Sequence, residues 1–116
     1  MKYEEFEKII IDDIISQYPE YSDKLRRQYD SSTVVGRDMT GKGFFTDYEI
    51  GDRSASLGDG VNLQLGEDQW NINGLEYGSD YILWIKNGFI TQLEGFSYGE
   101  PWPENITKIS KISKNE

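Results

Sequence analysis

The sequence predicts an α+β fold, with two N-terminal helices packed on an antiparallel sheet of about five or six strands. Three observations carry that expectation. Apolar residues recur at three- and four-residue spacing over the first 30 positions. Beyond Ser31 the pattern changes to short β-rich runs punctuated by glycine. Two of these runs are joined by Asn87-Gly88, a pair that accepts the two positive φ angles of a type I′ hairpin turn with little penalty.

From Lys2 to Tyr18, Tyr3, Phe6, Ile10 and Ile14 form one apolar stripe, widened by Ile9, Ile11 and Ile15, as in an amphipathic helix. Pro19 disfavours helical geometry at Tyr18 and suits the first turn of a second helix, running from Pro19 to about Asp30. There Tyr21, Leu25 and Tyr29 share a face, and Lys24, Arg26 and Arg27 complement the helix dipole. The expected strands are Thr33 to Asp38, Gly43 to Ile50, Gly60 to Leu65, Trp70 to Leu75, Tyr81 to Lys86 and Phe89 to Gly95. Residues 1–116 thus read as one domain, with a helical part (1–30), a sheet (31–104) and a tail (105–116) that is either a frayed edge element or disordered.

Pairing Lys86 with Phe89 across the hairpin turn places Tyr81, Leu83, Ile85 and Ile90 on one face and Ile82, Trp84, Phe89 and Leu93 on the other. Neither set is polar, so the hairpin should be central and covered on both sides. The helices can cover one side. The other calls for the C-terminal segment folding back, a curled sheet, or a second protein chain.

Composition narrows the chemistry. The chain has no cysteine and no histidine, which excludes disulfides and thiolate zinc sites and removes the usual general base and the commonest metal ligand. The first expectation is therefore a protein without enzymatic activity, cofactor or metal. No stretch approaches the ~20 apolar residues of a membrane span, and charge interrupts the N-terminal apolar run, so the reading is a soluble cytoplasmic protein with no membrane contact. The net charge of −9 is unevenly spread: residues 1–37 carry −2, residues 38–104 carry −9 and residues 105–116 carry +2. An acidic central segment repels nucleic acid and speeds encounter with a basic protein partner.

Within that segment, Arg37 is expected to form a structural ion pair with a carboxylate such as Asp47 or Glu94. Phe44, Phe45, Tyr48 and Trp84 read as core. Tyr98 and Trp102 lie in a Gly- and Pro-punctuated stretch beside Glu94 and Glu100, a mixture of rigid rings and carboxylates typical of protein interfaces. These four are the candidate partner-binding residues. Glu94 and Glu100 would pair with Lys or Arg of the partner, and the two rings would anchor it.

Three segments carry a resemblance: Gly36-Arg37-Asp38-Met39-Thr40-Gly41-Lys42-Gly43-Phe44-Phe45-Thr46, Gly74-Leu75-Glu76-Tyr77-Gly78, and Leu93-Glu94-Gly95-Phe96-Ser97-Tyr98-Gly99-Glu100-Pro101-Trp102-Pro103. Over residues 33–104 the chain resembles a family of small, largely uncharacterised bacterial proteins with R-x-x-T-G-x-G-F-F-T, G-L-x-x-G and L-E-G-[YF]-x-Y-x-E-x-W-P motifs. Residues 1–30 lie outside it. By analogy with small acidic bacterial proteins of this kind, the resemblance implies an immunity or antitoxin-like protein whose basic partner is a toxin domain. Two other expectations stand beside it. One is a homodimer in which a second copy covers the apolar hairpin face, and the other is a small-ligand binder using the Arg37 and Glu94 region with Trp70.

Overall fold

A computed structural model describes residues 1–112. Helices α1 (Tyr3–Ser16) and α2 (Ser22–Asp30) precede strands β1 (Ser32–Met39), β2 (Gly43–Ile50), β3 (Leu63–Leu65), β4 (Trp70–Ile72), β5 (Ser79–Lys86), β6 (Phe89–Ser97) and β7 (Ile109–Lys111), with a 3-10 turn at Arg53–Ala55. All strand pairings are antiparallel. The sheet order is β1-β2-β6-β5-β4-β7, and β3 pairs with the same edge of β5 as β4 does. This is the expected α+β architecture with one strand more than the upper expectation of six.

The seventh strand comes from the tail. Ile109–Lys111 pairs with Trp70–Ile72 as an edge strand, and Lys111 Nζ lies 3.0 Å from Asp13 on α1 and 3.6 Å from Asp68. Residues 113–116 of the expected tail lie outside the described residues. Strands β3 and β4 are shorter than expected because they divide one edge: Leu63–Leu65 pairs with Ile85–Leu83, while Trp70 pairs with Ser79.

Pro19 does not open α2. It sits in the turn between the helices, where Tyr21 N–H donates to Tyr18 O and Ser22 N–H to Pro19 O, and helical spacing begins only at Ser22. The α1 stripe buries Phe6, Ile10, Ile11, Ile14 and Ile15 against the sheet, whereas Ile9 falls at its exposed margin. Leu25 and Gln28 are the buried residues of α2.

The helix-side face of the sheet supplies Phe44, Tyr81, Leu83, Ile85, Ile90 and Leu93 to the same core. Each fully buried aliphatic or aromatic side chain of this kind stabilises the fold by roughly 1.5–3 kcal/mol. Gly95 lies opposite Phe44 on one side and Tyr81 on the other. A Cβ there would stand 2.4 Å from the Phe44 ring and 2.8 Å from the Tyr81 ring, so its absence lets the two aromatics close over the strand. Tyr3, Phe6 and Trp102 complete this cluster, with ring centroids 5.3 to 6.4 Å apart.

The β5–β6 turn has the predicted geometry, with φ of 50° at Asn87 and 86° at Gly88. The register then departs from expectation. Lys86 pairs with Phe89 and Ile85 with Ile90, but Trp84 pairs with Gln92 and Leu83 with Leu93. Thr91 is the extra residue of a β-bulge, and one inserted residue reverses the facing of everything beyond it. Leu93 therefore joins the helix-side core, fully buried, instead of the opposite face.

Candidate functional site

The face of the sheet turned away from the helices follows from strand alternation. It presents Asp38 and, from β2, Phe45, Asp47 and Glu49; β6 adds Gln92, Glu94 and Phe96, and β5 adds Asp80, Ile82 and Trp84. Phe45, Ile82, Trp84 and Phe96 are half-buried, whereas the helix-side residues that alternate with them are buried. Among the described residues, no helix or strand packs over this outer face. Nor does the C-terminal segment, which turns to the helix side: Trp102 N–H donates to Gly41 O, and the N-terminal ammonium donates to Ile106 O.

Charge is as uneven as burial. Asp38, Asp47, Glu49, Asp80 and Glu94 lie on the outer face, and the cations near it stand toward its ends: Lys86 and Arg53 at the hairpin end, where Arg53 covers the Phe89 ring at 3.6 Å, and Lys42 in the β1–β2 turn beside Gly43, which pairs with Phe96. The side chains of Asp38 and Glu49 are exposed and make no ion pair or hydrogen bond among the described residues. The remaining acids are oriented. Glu94 accepts the Trp84 indole N–H at 3.1 Å, Asp47 accepts a Gln92 amide N–H at 2.8 Å, and Asp80 accepts the Tyr98 hydroxyl. Gln69 donates to the same Tyr98 oxygen at 2.5 Å. Partial burial and the Asp80 carboxylate hold the Tyr98 phenol above its ordinary range, so it remains a neutral donor.

Of the four candidate partner-binding residues, Glu94 and Tyr98 lie on this face. Tyr98 is 45% exposed. Glu100 and Trp102 have structural duties instead. The Glu100 carboxylate accepts the backbone N–H groups of Glu76 at 2.8 Å and Tyr77 at 3.0 Å, tying down the β4–β5 loop. Trp102 is 8% exposed within the aromatic cluster, and its indole N–H donates to Tyr3 Oη at 3.0 Å, so its ring is not available to anchor a partner in this fold. Trp84, expected in the core, takes the half-exposed position on the outer face. The signal for Trp84 was its parity with Ile82 on the second apolar face of the hairpin.

Arg37 does form an ion pair, but with neither expected carboxylate. It points to the helix side, where Nη2 lies 2.7 Å and Nε 3.0 Å from the Glu7 carboxylate. Glu7 is 1% exposed and also accepts the Thr46 hydroxyl. Asp47 and Glu94 face the opposite way, so neither can reach Arg37. The hydrogen bonds that Arg37 donates to Glu7 raise the Arg37 pKa further, and Tyr3 stacks below the guanidinium at 5.1 Å from its ring centroid. This pair locks α1 to β1 and β2. A ligand pocket built from Arg37, Glu94 and Trp70 is thereby excluded, since Arg37 and Glu94 lie on opposite faces and Trp70 is buried.

No group of three or more metal-ligating side chains occurs among the described residues. No helix among them is long and apolar enough to cross a membrane. Comparisons with protein-family models, with curated proteins and with solved structures give no match.

Proposed function

We propose that this chain is a non-enzymatic binding protein that docks a basic protein partner on the outer face of its sheet, in the manner of an immunity protein neutralising a toxin domain. One observation carries the reading: half-exposed Phe45, Ile82, Trp84 and Phe96 stand uncovered among five carboxylates. The rings and Ile82 supply apolar area of the kind that dominates interface energetics, and the carboxylates around and between them steer a cationic partner into register. Glu94 lies between Phe45 and Ile82, and Tyr98 extends the surface toward one end.

Self-association through the same face is the weaker reading. An isologous pair would set these carboxylates against their own copies, whereas a basic partner complements them. The test is capture from native lysate at low salt with the wild-type chain and with Ile82→Lys, which places a cation in the apolar area while leaving the helix-side core intact. A basic protein retained by the wild type and lost by a folded Ile82→Lys variant supports docking on this face. Equal retention by both, or retention of no basic protein, rejects it.

A further inference from the structure

The outer face is not flat. A groove of about 760 Å³ runs across it between β2 and β3, lined by Asp47, Gln64, Trp84, Lys86, Thr91 and Gln92 among others. Its floor is one row of the sheet, since Asp47 pairs with Gln92, Gln92 with Trp84, and Trp84 with Gln64. Two bulges flank Asp47, one at Thr91 in β6 and one between Val34 and Gly36 in β1. Bulges bend a strand and increase its twist, which re-aims the side chains beside them.

The chemistry of the row is specific. Asp47 and Trp84 stand two strand spacings apart, roughly 10 Å, with Gln92 between them. One Asp47 oxygen is held by Gln92 at 2.8 Å, and the other lies over Gly36, where a Cβ would approach it at 3.4 Å. The Trp84 indole is fixed at its nitrogen by Glu94. The exposed Gln64 amide makes no side-chain hydrogen bond among the described residues.

We propose that this groove seats an arginine side chain presented by the basic partner, with its guanidinium against the Trp84 indole and directed onto the Asp47 carboxylate. The inference rests on the docking reading above and names what the partner inserts. Arginine fits better than lysine because its planar fork can stack on an aromatic face and hydrogen-bond a carboxylate at once, while an ammonium serves as a point charge. Lys86, on the hairpin side of the groove, repels a cation there and so directs the charged end toward Asp47. The volume exceeds one side chain and leaves room for the residues flanking the arginine, within reach of Gln64.

The probe is N-acetyl-arginine methylamide, titrated into the ¹⁵N-labelled chain beside the lysine analogue and the uncharged isostere citrulline. The expected result is a saturable shift of the Trp84 indole and Gln92 side-chain amide signals, with lysine weaker and citrulline ineffective. Asp47→Asn, which keeps the side-chain shape and a folded spectrum, should weaken the arginine effect about tenfold. Trp84→Phe, read on the Gln92 signal, should weaken it by a smaller factor. No saturable shift, an equal response to citrulline, or indifference to Asp47→Asn overturns the proposal. Docking itself is judged by variants outside the groove, at Asp38 and Glu49. If those weaken partner binding while the arginine titration fails, the surface stands and its arginine pocket is discarded.

Discussion

The Tyr48 hydroxyl is buried on the helix side of β2 without a hydrogen-bond partner among the described residues. Burying a hydroxyl unpaired costs about 1–3 kcal/mol, so Tyr48→Phe should raise stability by about 1 kcal/mol, read as a higher urea midpoint at unchanged slope. A clear loss of stability would contradict that assignment. The same residue sets a pH response. Burial pushes the phenols of Tyr48 and Tyr81 well above their ordinary pKa of 10.0 and that of Tyr29 up to about 12. A pKa raised on folding favours the folded state fully below the unfolded value and loses that contribution as pH rises through the window above it. Stability should therefore fall above pH 10, by about 1.4 kcal/mol per pH unit for each of the buried Tyr48 and Tyr81. Denaturation between pH 9 and 11 checks this, and Tyr48→Phe should flatten the fall.

Helix α2 is held to the sheet by a residue that looks like surface. Gln28 is fully buried, its amide donates to Ala55 O at 2.8 Å and Gly88 O at 2.9 Å, and its oxygen accepts Ile90 N–H at 2.8 Å. One side chain thus joins α2, the 3-10 turn and the β5–β6 hairpin. Gln28→Ala should cost about 3 kcal/mol, since the buried Ala55 O and Ile90 N–H lose their partner together and Gly88 O keeps only the Leu57 N–H. A cost below about 1 kcal/mol in urea denaturation would show that they find other partners. The contrast with the rest of the fold is instructive. Helix α1 and the Asn87-Gly88 turn were legible because periodicity and turn chemistry are local properties. Gln28 was not, since a polar residue in a short helix reads as solvated until its partners, 27 to 62 positions away, are known. Nor was the Thr91 bulge, which has no glycine or proline to announce it and sends Leu93 to the opposite face.

At the scale of the molecule, the sequence carried the charge asymmetry and the two apolar faces of the hairpin, but not which of them stays open. That depends on where the segment after β6 goes. It crosses to the helix side and takes Trp102 into the core, leaving Trp84 on the outer face. The roles of the two tryptophans are exchanged relative to expectation because the covering of a sheet face is decided by contacts remote in sequence. Arg37 shows the same limit: its need for a carboxylate was legible, while the choice of Glu7 depends on α1 packing across β1 and β2.

On the docking proposal, a particular face, and not net charge alone, recruits a basic partner. Two double reversals of equal charge separate these. Asp38→Lys with Glu49→Lys alters the outer face at positions whose side chains are exposed and unpaired, and Glu20→Lys with Asp23→Lys alters exposed acids in the turn before α2 and in its first turn. The measurement is the dissociation constant of the captured partner for the wild type and both variants at low and moderate salt. The outer-face pair is expected to weaken binding at least about tenfold and to flatten its salt dependence, while the Glu20 and Asp23 pair stays within about twofold of the wild type. Equal weakening by both pairs would contradict it, because binding would then follow the total charge of the chain and not the surface described.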